Sequence, residues 1–393
     1  MLFGASFGVS SMASPASAAD VCFLANQPVL AVEHFGVAAV DAYKQKLADE
    51  CALSGKYQQL KLKAQNKFGV SSDHALEQLT IYQAMRFIPR SEYETAKLSR
   101  MPLMLESYAG SANALDVERA RLNSGAGLTM ADLQRINAYF PTTPAAAAQG
   151  ATPGQLKPVS EADVELRKLS FEEVANAKSV AGDVNDDYTN LGFIDGGLAS
   201  LYDRTYVNEI LSVKKSSDGV SEALYTGDTR ANEKHVTEIL KFVNDMMAQG
   251  RQGHMVWNQQ LMTPGEVAFL AQKFLNDVSP FVDNNERTSR FVQELILTSF
   301  AMPHGSSGDL MENDMLIARE PYYASAMSKT RALVDFADDC FEKFYKRQDE
   351  PTYVPQRRRS SKSEGREPMP TPPPPPAPVA NMADLEYGCH ATR

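Results

Sequence analysis

The sequence predicts a mostly α-helical protein with one small β-hairpin, and three observations carry that prediction. Apolar residues recur at three- and four-residue spacing from about Val21 to Phe140 and again from Glu233 to Tyr345, the period of helices that bury one face. Between these runs, Val207 to Val213 and Ala223 to Thr226 read as short strands around Lys214-Lys215-Ser216-Ser217-Asp218-Gly219, a hairpin signal with glycine in its loop. From Lys346 to Arg393 the composition changes: Arg357-Arg358-Arg359 gives way to Ser, Lys and Glu, then to five consecutive prolines from Pro372 to Pro376. Such a tail cannot bury enough apolar surface to fold and reads as disordered, with polyproline II character.

The chain has 393 residues and a net charge of −10, from 39 basic and 49 acidic side chains. That balance argues against a general binder of nucleic acid or anionic membranes. No apolar run reaches the 18 residues of a candidate membrane helix. Residues 1–19 are small and weakly apolar and end in Ala16-Ser17-Ala18-Ala19-Asp20, an A-x-A-type cleavage site, although no Lys or Arg precedes Lys44. The expectation is a signal or leader segment and an exported protein, periplasmic or secreted; if residues 1–19 are not a signal peptide, the expectation is cytoplasmic.

In chain order, residues 20–140 form an N-terminal helical region with helices at Val29 to Leu53, Lys56 to Phe68, Asp73 to Arg86, Tyr93 to Ala109, Leu115 to Leu122 and Leu128 to Phe140. Thr129 and Asp132 are spaced as a capping signal for the last of these. Cys22 and Cys51 can pair across the first helices, while Cys340 lies on an apolar face and Cys389 in the tail. Residues 141–160, rich in Ala, Pro, Gly and Thr, read as a linker or exposed loop. Glu161 to Lys178 reads as a helix with a charged face. Asp183, Asp186, Asp187 and Asp195 lie among glycines, but their spacing does not fit an EF-hand. After the hairpin come an amphipathic helix from Glu233 to Met247, a loop carrying Trp257 as a core anchor, and helices at Pro264 to Val278 and Phe291 to Met302. Two more follow, Met315 to Met327 and Lys329 to Tyr345.

Between the helices at Pro264 to Val278 and Phe291 to Met302 lies Ser279-Pro280-Phe281-Val282-Asp283-Asn284-Asn285-Glu286-Arg287-Thr288-Ser289-Arg290. An acid, amides and two arginines at a junction of buried helices fit an anion site built on a helix N-terminus. Arg287 and Arg290 share a face if the second helix starts near Asn285, and Asp283 is suited to a hard cation. A plain helix corner, with Asp283 as N-cap and the arginines solvated, accounts for the same residues.

This stretch resembles the Fic (Fido) family motif, H-P-F-x-D-G-N-G-R-x-x-R. Pro280, Phe281, Asp283, Asn285, Arg287 and Arg290 match six of its nine fixed positions; Ser279 replaces the His, and Asn284 and Glu286 replace the glycines. Pro264, Ala268, Leu297, Pro303 and Ala318-Arg319-Glu320-Pro321-Tyr322-Tyr323 keep the family's flanking spacing. The resemblance implies a Fic-like domain over 161–345, with its core at 225–345 and the hairpin near 207–226 as the flap that holds a protein target by strand addition.

It further implies transfer of AMP from ATP to a protein hydroxyl with Mg²⁺. Asp283 would be the Mg²⁺ ligand, and Asn284, Asn285, Glu286, Arg287 and Arg290 would line the nucleotide. Ser279 stands where the general base belongs, and a serine hydroxyl cannot serve as one near neutral pH without an activator. His304 is a candidate substitute, a helix away in sequence. Glu286 is expected to resist the backbone angles a glycine allows and to repel phosphate, or to pair with Arg287 or Arg290. The expected activity is therefore weak or altered. Alternatives are an inactive scaffold that binds a protein partner, and a toxin or effector that moves another phosphate-containing group. Ser360-x-x-x-Glu364-Gly365 matches the family's inhibitory signature, but in the basic tail rather than on an evident helix.

Overall fold

The computed structural model describes residues 20–29, 32–68, 114–157, 164–169, 211–215, 222–226, 229–257, 259–305 and 319–349. The expected leader, the helices expected at Asp73 to Arg86 and Tyr93 to Ala109, the aspartate-rich stretch and the tail from residue 350 on, with Ser360 and Glu364, lie outside these residues, while residues 346–349, expected to open the disordered tail, continue the last described helix. Among the described residues the protein is mostly α-helical, and no helix is long and apolar enough to cross a membrane.

The N-terminal part holds α1 (Val21–Ala25), α2 (Val32–Phe35) and α3 (Val37–Phe68). Gly36, at φ 78, breaks the chain ahead of α3. Helix α3 then runs unbroken through Ser54-Gly55, where two helices were expected. Tertiary contacts override the local glycine penalty here. Val40, Tyr43, Leu47, Glu50, Ser54 and Tyr57 are all buried, a stripe at three- and four-residue spacing. Ser54 also donates to the Ala301 carbonyl at 2.7 Å. A disulfide joins Cys22 on α1 to Cys51 on α3.

Residues 114–123 form α4, and α5 (Met130–Asn137) follows. Thr129 and Asp132 make the expected capping box at the start of α5. Next comes a short helix, α6 (Pro144–Ala148), inside the segment read as a linker. The strands β1 (Val164–Leu169), β2 (Leu211–Lys215) and β3 (Glu222–Thr226) make one antiparallel sheet in the order β1-β3-β2. The hairpin is thus present, with Lys214 and Lys215 paired to Ala223 and Glu222 rather than lying in its loop. Residues 164–169, expected to be helical, are instead a strand on the other side of β3, with an irregularity between Glu165 and Arg167.

The core is built on α7 (Thr229–Gly250), α8 (Pro264–Val278), α9 (Asn285–Ser299) and α10 (Arg319–Asp349). Helix α8 is the centre and packs on the other three. Thr263 caps it with Glu266 in a second capping box and Pro264 opens it. Val267 through Leu275 are all buried, so this helix is enclosed on every side. A two-residue ladder, β4 (Val256–Trp257) with β5 (Gln260–Leu261), joins α7 to α8. Trp257 lies edge-on to Phe242 at 5.1 Å, consistent with its anchoring role.

Glu50 sits where α3, α8 and α10 meet. Its carboxylate accepts hydrogen bonds from Thr263 Oγ1 at 2.5 Å, Tyr323 Oη at 2.7 Å and the Gly265 N–H at 3.2 Å. Burial raises its pKa to about 7 despite these donors. Beside it, Lys46 bridges Glu266 at 2.6 Å and Glu320 at 2.9 Å, tying the same three helices.

Candidate functional site

The turn from Ser279 to Asn284 connects α8 to α9 at the heart of this core. Ser279 ends α8 in the left-handed region (φ 45, ψ 60), and Asn284 precedes α9 in the same region (φ 60, ψ 24). Asparagine tolerates this conformation better than most residues, so Asn284 fits the turn without a glycine. Glu286 differs: it lies within the first turn of α9 with helical geometry. No glycine angle is required there, so the expected backbone resistance at Glu286 does not arise.

Phe281, 1% exposed, anchors the turn in the core. Asn285 clamps it from both sides: its Oδ1 accepts the Phe281 N–H at 2.8 Å and its Nδ2 donates to the Phe281 carbonyl at 2.8 Å. The Asn285 side chain thus holds the loop. Thr288 Oγ1 donates to the Asn284 carbonyl at 2.8 Å and closes the first turn of α9.

The charged residues gather at the start of α9. Arg290 reaches Glu286 at 2.7 Å across one helical turn, so Glu286 pairs with an arginine of the motif, one of the two outcomes anticipated. Arg287 is half-buried and forms no hydrogen bond or ion pair among the described residues. Asn284 makes no capping bond to the first N–H groups of α9, unlike Thr263 on α8 and Thr129 on α5. Those first amides have no intrahelical partner. An uncapped helix N-terminus beside a guanidinium is an arrangement that can receive an anion.

Asp283 is drawn the other way. Its Oδ2 accepts the Thr143 N–H at 2.6 Å, its Oδ1 accepts the Asn284 N–H at 2.8 Å, and its carbonyl accepts from Asn137 Nδ2 at 2.9 Å. The Asn284 side chain donates to the Pro141 carbonyl at 3.2 Å. Farther along, Leu156 and Phe281 form an antiparallel bridge, with the Lys157 N–H to the Pro280 carbonyl and the Val282 N–H to the Gln155 carbonyl, each at 3.0 Å. The segment expected to be a linker therefore lines the turn. Sequence reasoning missed Asn137, Thr143 and Gln155 to Lys157. Thr143-Pro144, an N-cap followed by proline ahead of four alanines, was the available signal.

Asn137 is 2% exposed and joins Asp283, Thr288 and Gly154 at once. Helix α5, which carries it, is fixed by ion pairs. Glu118 on α4 accepts from Arg135 at 2.8 Å through both oxygens and from Tyr139 Oη at 3.0 Å. Burial alone would raise the Asp132 carboxyl, but hydrogen bonds from Arg121, Thr129 and Arg135 outweigh it and hold it at about 2.

No protein-family model matches the chain, and no curated protein does either.

Ser279 and His304 both lie buried and engaged with other groups. Ser279 is 5% exposed and donates its hydroxyl to the Asn276 carbonyl of its own helix. His304 is fully buried against Glu294, roughly 15 Å along α9 from the turn. Among the described residues no cluster of three or more His, Cys, Asp or Glu side chains could hold a metal ion. A Mg²⁺ held with a nucleotide asks less of a protein, one carboxylate beside phosphates and water, and each oxygen of the Asp283 carboxylate already accepts one N–H here.

Proposed function

We propose that this protein is a Fic-like nucleotide-binding protein resembling protein adenylyltransferases, with weak or altered transfer to protein hydroxyls. What supports the reading is the start of α9: an uncapped helix N-terminus with Arg287 beside it, on a turn whose left-handed position is kept by Asn284. Arg287 and the first amides of α9 would bind the phosphates, and Arg290 would join them when released from Glu286. Asp283 would hold Mg²⁺, whose chemistry is to neutralise charge on the phosphates. A protein target would add as a strand to the β2 edge of the sheet.

Without a base at position 279, transfer is slowed by about 10²–10⁴. Ser279→His is the direct restoration, because histidine enters the left-handed region more readily than most residues. The variant is expected to recover a large part of that factor in AMP transfer from labelled ATP.

A second reading, an inactive scaffold that binds a protein partner, is favoured by the seal between the Ser279 hydroxyl and Asn276. Isothermal titration with Mg·ATP separates the two. The transferase reading expects weak binding by the unaltered chain, abolished in Arg287→Ala and strengthened in Glu286→Gly. Absence of binding in the unaltered chain and in Glu286→Gly alike would leave the scaffold.

A further inference from the structure

We infer that residues 141–157 form a strap that gates the cation-binding half of the turn, and that a metal–nucleotide complex competes with it for Asp283; this rests on the nucleotide reading above. The strap touches the turn at both ends. At one end the Thr143 N–H occupies Asp283 Oδ2 and the Pro141 carbonyl holds Asn284; at the other, Gln155 to Lys157 pair with Pro280 to Val282 as a short strand. Asn137 links the two ends, because it donates to the Asp283 carbonyl and accepts the Gly154 N–H at 2.8 Å.

What fastens the strap is chiefly hydrogen bonding by its backbone groups, with Leu156 packed part-buried on the core. Of its side chains only Lys157 is fully buried, and Pro144, Ala145, Ala147 and Ala148 are exposed. A segment with few buried apolar contacts opens at lower free energy than the core beneath it. The turn does not share that property, since Phe281 and the helices on either side are buried. The contacts are also uneven. They engage Asp283, the backbone of 280–282 and the Asn284 side chain, while no described strap residue bonds Arg287. The strap therefore blocks the metal-dependent part of binding and leaves the anion-binding part open.

Thr143 gives a clean test. Its φ of −62 and ψ of 149 already suit proline, so Thr143→Pro deletes the N–H that holds Asp283 and puts a ring carbon in its place, at a residue whose own angles proline adopts. Thr143→Ala removes the hydroxyl, keeps the N–H and serves as the control. Titration with ATP is run with Mg²⁺ and with EDTA, and hydrogen exchange is followed at the Val282 and Lys157 amides. A closed state populated over an open one lowers apparent affinity by the open fraction. The expected result is Mg·ATP binding roughly 10- to 100-fold tighter in Thr143→Pro than in the unaltered chain or Thr143→Ala. Metal-free ATP binding should not change, and the two amides should lose protection together.

Equal Mg·ATP affinity in all three proteins, with binding still lost in Arg287→Ala, would overturn the gate and leave the nucleotide reading standing. If Thr143→Pro opens by exchange and neither it nor the unaltered chain binds ATP, the nucleotide reading fails and the gate falls with it.

Discussion

At the residue scale, the turn is governed by two asparagines that do different work. Asn284 supplies a left-handed conformation, whereas Asn285 supplies two hydrogen bonds to Phe281. Asn284→Gly is therefore expected to shift unfolding free energy by less than about 1 kcal/mol. Asn285→Ala leaves the buried Phe281 amide and carbonyl without partners and should cost about 1–3 kcal/mol in urea denaturation. A comparable strain lies at the other end of α9. Ala301, at φ 59, occupies the Schellman position, with the Ala301 N–H to Thr298 and the Met302 N–H to Leu297. Glycine suits that position, and Ala301→Gly should raise stability by about 0.5–1 kcal/mol. The motif at 279–290 was legible residue by residue, because its charges are out of place between apolar helices. The pairing of Glu286 with an arginine was legible too, but its backbone was not: it is helical, and only the start of α9 at Asn285 decides that.

At the element scale, local signals told most where the partner of an element is also local. The capping box at Thr129, the α8–turn–α9 succession and the hairpin of β2 with β3 all follow from neighbours in sequence. Residues 164–169 did not follow, because Val164-Glu165-Leu166-Arg167-Lys168-Leu169 mixes two- and three-residue spacing and becomes a strand by pairing with β3, far along the chain. The strap was missed for the same reason, as its bonds are to a turn more than a hundred residues away. Helix α1 was legible only through Cys22. It is held by the disulfide and by the Val21 N–H to the Phe300 carbonyl at 3.0 Å. Replacing both cysteines with serine, or reduction, should cost about 2–4 kcal/mol and free α1 to proteolysis ahead of the core.

At the scale of the whole molecule, stability is expected to depend on pH through Glu50. Its pKa is near 7 in the folded protein against an ordinary 4.5, so the folded state holds its proton more tightly than the unfolded one. Stability from this group is then fully present below about pH 4.5 and is lost as pH rises through 7. Tyr43 and Lys46 on α3, Thr263 and Glu266 on α8, and Glu320 and Tyr323 on α10 face the same junction. The expected gain on acidification from pH 8 to 5 is on the order of 2–3 kcal/mol, and Glu50→Gln should flatten it. Thermal melts of both proteins across that range check the sign.

Whether the turn between α8 and α9 is a nucleotide site decides the rest, and hydrogen exchange over residues 279–290 with and without Mg·ATP tests it most directly. The account predicts added protection at the first amides of α9, with protection lost at Thr143 and at Gln155 to Lys157 as the strap yields Asp283. Unchanged exchange across 279–290 at saturating Mg·ATP would contradict it.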